Sequence, residues 1–118
     1  MIAEFKKLLG PENVLTETED ILPYAYDGTP ALWHMPRAVV FPQKTEQIAA
    51  ILEYATEKNI PIVPRGSGTG LSGGSLPLLT GDSVVLCLGQ MNRLLELDTQ
   101  NLTVLVEAGM TTQELFNI

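Results

Sequence analysis

The sequence predicts an α+β fold in which a strand-helix-strand parallel unit is followed by the start of a mixed or antiparallel sheet. Three observations carry that expectation. A short β-branched run, Arg37-Ala38-Val39-Val40-Phe41-Pro42, precedes a helix with one apolar stripe and then a second short run, Ile60-Pro61-Ile62-Val63-Pro64. A helix of that length between two strands implies a right-handed parallel crossover. A third apolar run, Ser83-Val84-Val85-Leu86-Cys87-Leu88, is expected as another buried strand. Two further runs, 94–98 and 102–107, flank Thr99-Gln100-Asn101 and have the form of a hairpin whose alternation leaves one face polar.

The elements follow in order. Ile2, Phe5, Leu8 and Leu9 recur at helical spacing and stop at Gly10-Pro11, a pair that closes a helix and cannot extend it. Between Thr16 and Tyr26 the acids Glu17, Glu19 and Asp20 gather near a helix start, where the dipole favours negative charge, and Pro23 keeps the element short or kinked. Asp27-Gly28-Thr29-Pro30 is turn chemistry, with a loop running on to Pro36. In the long helix Thr45 is expected as the cap. Ile48, Ile51, Leu52 and Ala55 form the apolar stripe, Glu46, Glu53, Glu57 and Lys58 take the wet side, and Asn59 is a left-handed stop. Thr111 or Thr112 is expected to cap a last helix opening at Gln113-Glu114-Leu115-Phe116. That helix is too short to be stable alone, so residues 1–118 are expected to be one portion of something longer.

Composition narrows the function. The chain has 118 residues, 45% of them hydrophobic, which suits one modest domain with a real core and speaks against intrinsic disorder. Its 14 acidic and 7 basic side chains give a net charge of -7, and the basic residues are scattered. Such a surface repels phosphate backbones and anionic lipid, so nucleic-acid and membrane-surface binding are disfavoured. No run approaches the length of a membrane span or a signal sequence. The single cysteine, Cys87, cannot form an internal disulfide, which points to a cytoplasmic setting, and no pair of histidines or cysteines is available for a soft metal site.

One segment carries chemistry. Pro64-Arg65-Gly66-Ser67-Gly68-Thr69-Gly70-Leu71-Ser72-Gly73-Gly74-Ser75 holds 5 of the 10 glycines within a dozen positions. Without Cβ atoms, successive backbone N–H groups can turn inward at short range. Hydroxyls from Ser67, Thr69, Ser72 and Ser75 add donors, and Arg65 can add a charge, so the segment suits a phosphate or diphosphate. Residues 68–73 also match the glycine spacing of a dinucleotide fingerprint. That turn, however, should open a helix, and Gly73-Gly74-Ser75 leads into Leu76-Pro77 with no amphipathic stripe. No Gly-Lys-Ser or Gly-Lys-Thr follows, which removes a nucleoside-triphosphate loop.

Taken with Pro36-Arg37-Ala38-Val39-Val40-Phe41-Pro42 and Val104-Leu105-Val106-Glu107-Ala108-Gly109, this segment resembles the FAD-linked oxidases of the vanillyl-alcohol oxidase and p-cresol methylhydroxylase type. The likeness is greatest to the glycolate oxidase flavoprotein subunit and the D-lactate and D-2-hydroxyglutarate dehydrogenases. The resemblance covers nearly the whole chain and about the first quarter of such proteins. It implies the N-terminal part of an FAD-binding domain, whose remainder and substrate cap lie outside these residues. It implies FAD contacts from Pro64, Arg65, Gly66, Ser67, Gly68, Thr69, Gly70 and Leu71, from Gly73, Gly74 and Ser75, and from Pro42 near the adenine side. Thr69 stands where some members tether flavin through a histidine, so non-covalent FAD is implied. The family chemistry would oxidise a 2-hydroxy acid to a 2-oxo acid, with electron-acceptor subunits as partners and a cytoplasmic location or one peripheral to the inner membrane.

No residue here is nominated as catalytic. His34, without a neighbouring carboxylate or second ligand, is read as structural or solvent-facing, Cys87 as a buried apolar group, and Trp33, Tyr24 and Tyr26 as packing. Glu96 and Asp98 are read as the solvated side of one strand. Two other functions are compatible with the residues: a non-catalytic module that self-associates or pairs with a separately encoded remainder, and a nicotinamide-binding domain, which the missing helix argues against.

Overall fold

A computed structural model describes residues 1–26, 34–69 and 83–118. Its helices are α1 (Ile2–Leu9), α2 (Thr18–Ile21), α3 (Thr45–Lys58) and α4 (Thr112–Phe116). Its strands are β1 (Val14–Leu15), β2 (Ala38–Val40), β3 (Ile62–Arg65), β4 (Val84–Cys87), β5 (Leu94–Asp98) and β6 (Thr103–Val106). The expected turn at Asp27 and the loop through Trp33 lie mostly outside the described residues.

Among the described residues, the larger sheet has the order β1-β2-β4-β3. Strands β2, β4 and β3 are parallel, and β1 adds antiparallel to β2 through Val14 opposite Val40. The parallel unit expected around α3 is present, but β2 and β3 are not neighbours: β4 enters between them and pairs with both. Alternation then assigns the faces. Ala38, Val40, Val84 and Leu86 turn to one side, where Phe5 and Leu9 of α1 and Ile51 of α3 cover them. Val39, Val85 and Cys87 turn to the other, beneath Ile21. Strands buried on both faces read as unbroken apolar runs for this reason.

Local chemistry sets the ends of the elements. Gly10 closes α1 at a φ of 91°, a left-handed backbone that suits glycine. The carbonyl of Leu9 accepts from Asn13 Nδ2 at 2.9 Å, which satisfies a buried amide and an orphan helix carbonyl together. In α3 the cap position is Lys44, with no side-chain bond. Thr45 is the first helical residue, and the Gln43 amide donates instead to Gln47 Oε1 at 2.7 Å. Asn59 does stop the helix, at a φ of 55°.

The smaller sheet is the hairpin β5-β6. Asp98 nucleates its turn by accepting from the amides of Gln100 and Asn101 and from Asn101 Nδ2. A shift of register between Leu94 and Glu96 makes Leu95 an extra residue, so Leu94 and Leu97, three apart, share a face with Val104 and Val106. Glu96, Asp98 and Thr103 fall on the other side, the polar face expected from the sequence, although Leu105 joins them. The apolar face is thinly covered: Leu94 and Leu97 keep 42% and 55% of their exposure. Thr111 caps α4 in a reciprocal capping box with Glu114.

The two sheets are tied through the chain that follows β4. Gly109 donates to the Met91 carbonyl at 2.8 Å. Glu107, its side chain 6% exposed, takes the Arg93 guanidinium through both carboxylate oxygens, at 2.8 and 3.0 Å, and the Arg93 amide at 2.9 Å. Those bonds hold the Glu107 carboxyl below the usual carboxylate range and raise Arg93.

Candidate functional site: a glycine turn at the carboxyl edge of the parallel strands

The carboxyl ends of β2, β3 and β4 meet at one edge of the sheet, since Val40 stands beside Leu86 and Arg65 beside Cys87. In sheets of this kind ligands gather at that edge. The chain leaving β3 there is Gly66-Ser67-Gly68-Thr69, and the chain leaving β2 is Phe41-Pro42-Gln43. A bond from Gln43 Nε2 to Gln90 Oε1 at 2.9 Å joins the exits of β2 and β4.

The residues singled out by sequence divide clearly. Gly66, Ser67 and Thr69 are exposed, and Gly68 is half-buried with a φ of +72°. The amides of Gly66, Ser67, Gly68 and Thr69 donate to no carbonyl of the described main chain. Four neighbouring donors are thus free of the described backbone at the carboxyl edge of the sheet. Gly66 is informative in another way. Its φ is not positive, and a Cβ added there would meet nothing within 4 Å. Neither a positive φ nor packing among the described residues demands glycine at 66, and the space beside its Cα is open. A diphosphate laid on backbone amides fits both observations.

Pro64 sits on the other side of the strand. By alternation it faces away from Arg65, and it lines an apolar hollow of about 280 Å³ with Ile48, Leu52, Ile62, Leu86 and Leu88. Pro42 is fully buried and offers no exposed ring at the edge. Gly70, Leu71, Gly73, Gly74 and Ser75 lie outside the described residues.

Arg65 is 8% exposed, so its charge is held in the interior. Its guanidinium turns toward the stretch before residue 27, with Nη1 donating to the Tyr26 carbonyl at 2.6 Å and Cζ lying 5.4 Å from the centre of the Tyr24 ring. Tyr24 also meets Phe41 edge to face at 5.8 Å. Burial and the neighbouring Cys87 raise the Tyr24 phenol, while Arg65 opposes them. The sequence missed these contacts because 39 residues separate Arg65 from Tyr26. His34 is half-buried, its amide donating to the Ala25 carbonyl at 3.0 Å, and Cys87 is buried in β4 as expected. Among the described residues no helix is long and apolar enough to cross a membrane.

Comparison with known proteins identifies the family of the chain. Residues 36–118 match the family described as FAD binding domain, and the chain belongs to it. It is 44% identical over 106 residues to glycolate oxidase subunit GlcD of Bacillus subtilis, covering 90% of this chain and 22% of that protein. It is 33% identical over 115 residues to D-2-hydroxyglutarate dehydrogenase of Stutzerimonas stutzeri, covering 98% of this chain and 24% of that one. Among solved structures, p-cresol methylhydroxylase with substrate bound superposes with a TM-score of 0.87 at 29% identity, over 98% of this chain and 23% of the other. The chain thus spans under a quarter of the length of these relatives. Its class is the FAD-binding domain of FAD-linked oxidoreductases related to glycolate oxidase and the hydroxy-acid dehydrogenases, and its cofactor is FAD.

Proposed function

We propose that this chain is the N-terminal, diphosphate-holding portion of the FAD domain of an enzyme that oxidises a 2-hydroxy acid to a 2-oxo acid, with FAD bound non-covalently. The observation that carries the reading is the Gly66–Thr69 turn, four amides without a described main-chain acceptor and open space beside the Cα of Gly66. In this reading amides from residue 65 through residue 75 cradle the diphosphate, with Gly70, Leu71, Gly73, Gly74 and Ser75 continuing the cradle. When bound, FAD supplies a hydride acceptor for the carbon bearing the substrate hydroxyl. This chain's own work is to hold and orient the cofactor, and substrate-binding groups and electron-acceptor partners belong to polypeptide outside these residues. The names of the relatives, glycolate oxidase and D-2-hydroxyglutarate dehydrogenase, support the substrate class.

The test is titration of the purified chain with FAD, followed by flavin fluorescence and the visible spectrum. Saturable binding that ADP competes away is expected, with a rise in unfolding stability of about 2.7 kcal/mol at a hundredfold excess over Kd. Stabilisation by a nicotinamide nucleotide and not by FAD would contradict it.

A second reading has one observation in its favour. Leu94 and Leu97 remain 42% and 55% exposed on one face of the hairpin, the kind of surface that pairs with a second copy or a separately encoded partner. Light scattering over a concentration series decides it: growth of apparent mass with concentration supports self-association, and a constant monomer mass rules it out.

A further inference from the structure

Arg65 stands out among the described residues as a basic side chain in the interior, and its surroundings are main-chain oxygen, an aromatic ring and a glycine. Nη1 donates to the Tyr26 carbonyl at 2.6 Å and lies 3.5 Å from that of Tyr24, and Nη2 lies 3.5 Å from the Pro23 carbonyl. The Tyr24 ring packs near Cζ. Gly68 is laid against the same group: a Cβ built there would collide with Nη2 and Cζ and come within 2.8 Å of Nε. One guanidinium therefore joins residues 23–26 to the first turn of the glycine-rich loop.

We propose that Arg65 is a positioning residue for the cofactor loop, a platform that fixes the Gly66–Thr69 turn against residues 23–26, and not the cation that pairs with the cofactor's phosphates. This rests on the reading of the loop as an FAD site. Its donors point at carbonyls, and its plane fills the space under Gly68. A planar fork can do both at once, whereas a lysine ammonium brings the charge without the plane. Binding of FAD at the turn is accordingly coupled to the order of residues 23–26, although those residues do not belong to the glycine-rich loop.

The experiment compares the wild-type chain with Arg65→Lys and Arg65→Gln, measuring FAD affinity and, without ligand, amide hydrogen exchange. Both variants should lose FAD affinity by about tenfold or more and to a similar degree, because the shape of the group matters more than its charge. Both should also exchange the amides of Tyr24, Ala25 and Tyr26 several-fold faster than wild type with no cofactor present. Retention of affinity within about threefold by Arg65→Lys, with loss only in Arg65→Gln, would make Arg65 a phosphate cation and overturn the proposal. Unchanged exchange at residues 24–26 in both variants would overturn it as well. Should either variant fail to fold, Gly68→Ala leaves Arg65 in place while pushing on its guanidinium. The same loosening of residues 24–26 is expected there, and its absence refutes the coupling. A wild-type chain that binds no FAD would defeat the cofactor reading, and the ligand-free exchange would still decide the link between Arg65 and residues 23–26.

Discussion

Alanine at position 66 separates folding from binding. In the protein alone a methyl on Gly66 meets nothing within 4 Å, and the backbone there is not left-handed. The substitution removes no contact and narrows the unfolded ensemble, so stability should stay level or rise by about 0.4–1 kcal/mol. Binding should respond in the opposite direction. A methyl group standing where a diphosphate approaches the amides is an overpacking event of about 1–3 kcal/mol, or roughly a 5- to 150-fold increase in Kd. Urea unfolding and flavin fluorescence titration on the same preparation measure the two quantities independently. An alanine variant that binds FAD as tightly as wild type would refute the reasoning. So would a large loss of stability, which would mean that glycine is needed there by the protein itself.

Three further outcomes follow from the packing and the ion pair. Ile51→Ala, at a fully buried position between α1 and the sheet, should cost about 2–5 kcal/mol in urea unfolding. Gly109→Ala should cost about 1–3 kcal/mol, because the new methyl would collide with the Leu88 carbonyl oxygen and lie 2.8 Å from that of Met91, both backbone atoms that cannot swing aside. That loss contrasts with the tolerance expected at Gly66. Arg93 lowers the Glu107 carboxyl below its ordinary value of 4.5, so the native state favours the ionised form. The stability this brings is fully present above that value and disappears as pH falls through the lower folded one. Thermal unfolding of Glu107→Gln across the acid range should therefore show a flatter decline than wild type, and an identical decline would remove Glu107 from the account.

What the sequence made legible was local. Gly10 ends α1, Asn59 stops α3, a turn follows Asp98 and Thr111, one of two candidates, caps α4, and in each case the residues that decide the structure lie within a few positions of it, although the bonds Asp98 makes to that turn were not read. Features made across the chain were not legible. β1 is two residues long and exists only through its pairing with β2, and no periodicity fits in two residues. The insertion of β4 between β2 and β3 is a choice among strand orders that the same apolar runs would equally permit. The shift at Leu95 re-phases a strand whose simple alternation would have split Leu94 from Leu97. At the candidate site the glycines were visible at once, since composition alone marks them. The work of Arg65 was not, because its partners are carbonyls and a ring some 40 residues upstream, which carry no motif.

In the proposed function, main-chain amides at the exit of β3 receive the cofactor's diphosphate. Amide-resolved NMR of the chain titrated with FAD reads those amides one by one. The signals of Gly66, Ser67, Gly68 and Thr69 should shift together and saturate with the flavin fluorescence. Saturable FAD binding that leaves those four signals in place, with changes confined to the hollow among Leu97, Leu102 and Leu115, would contradict it.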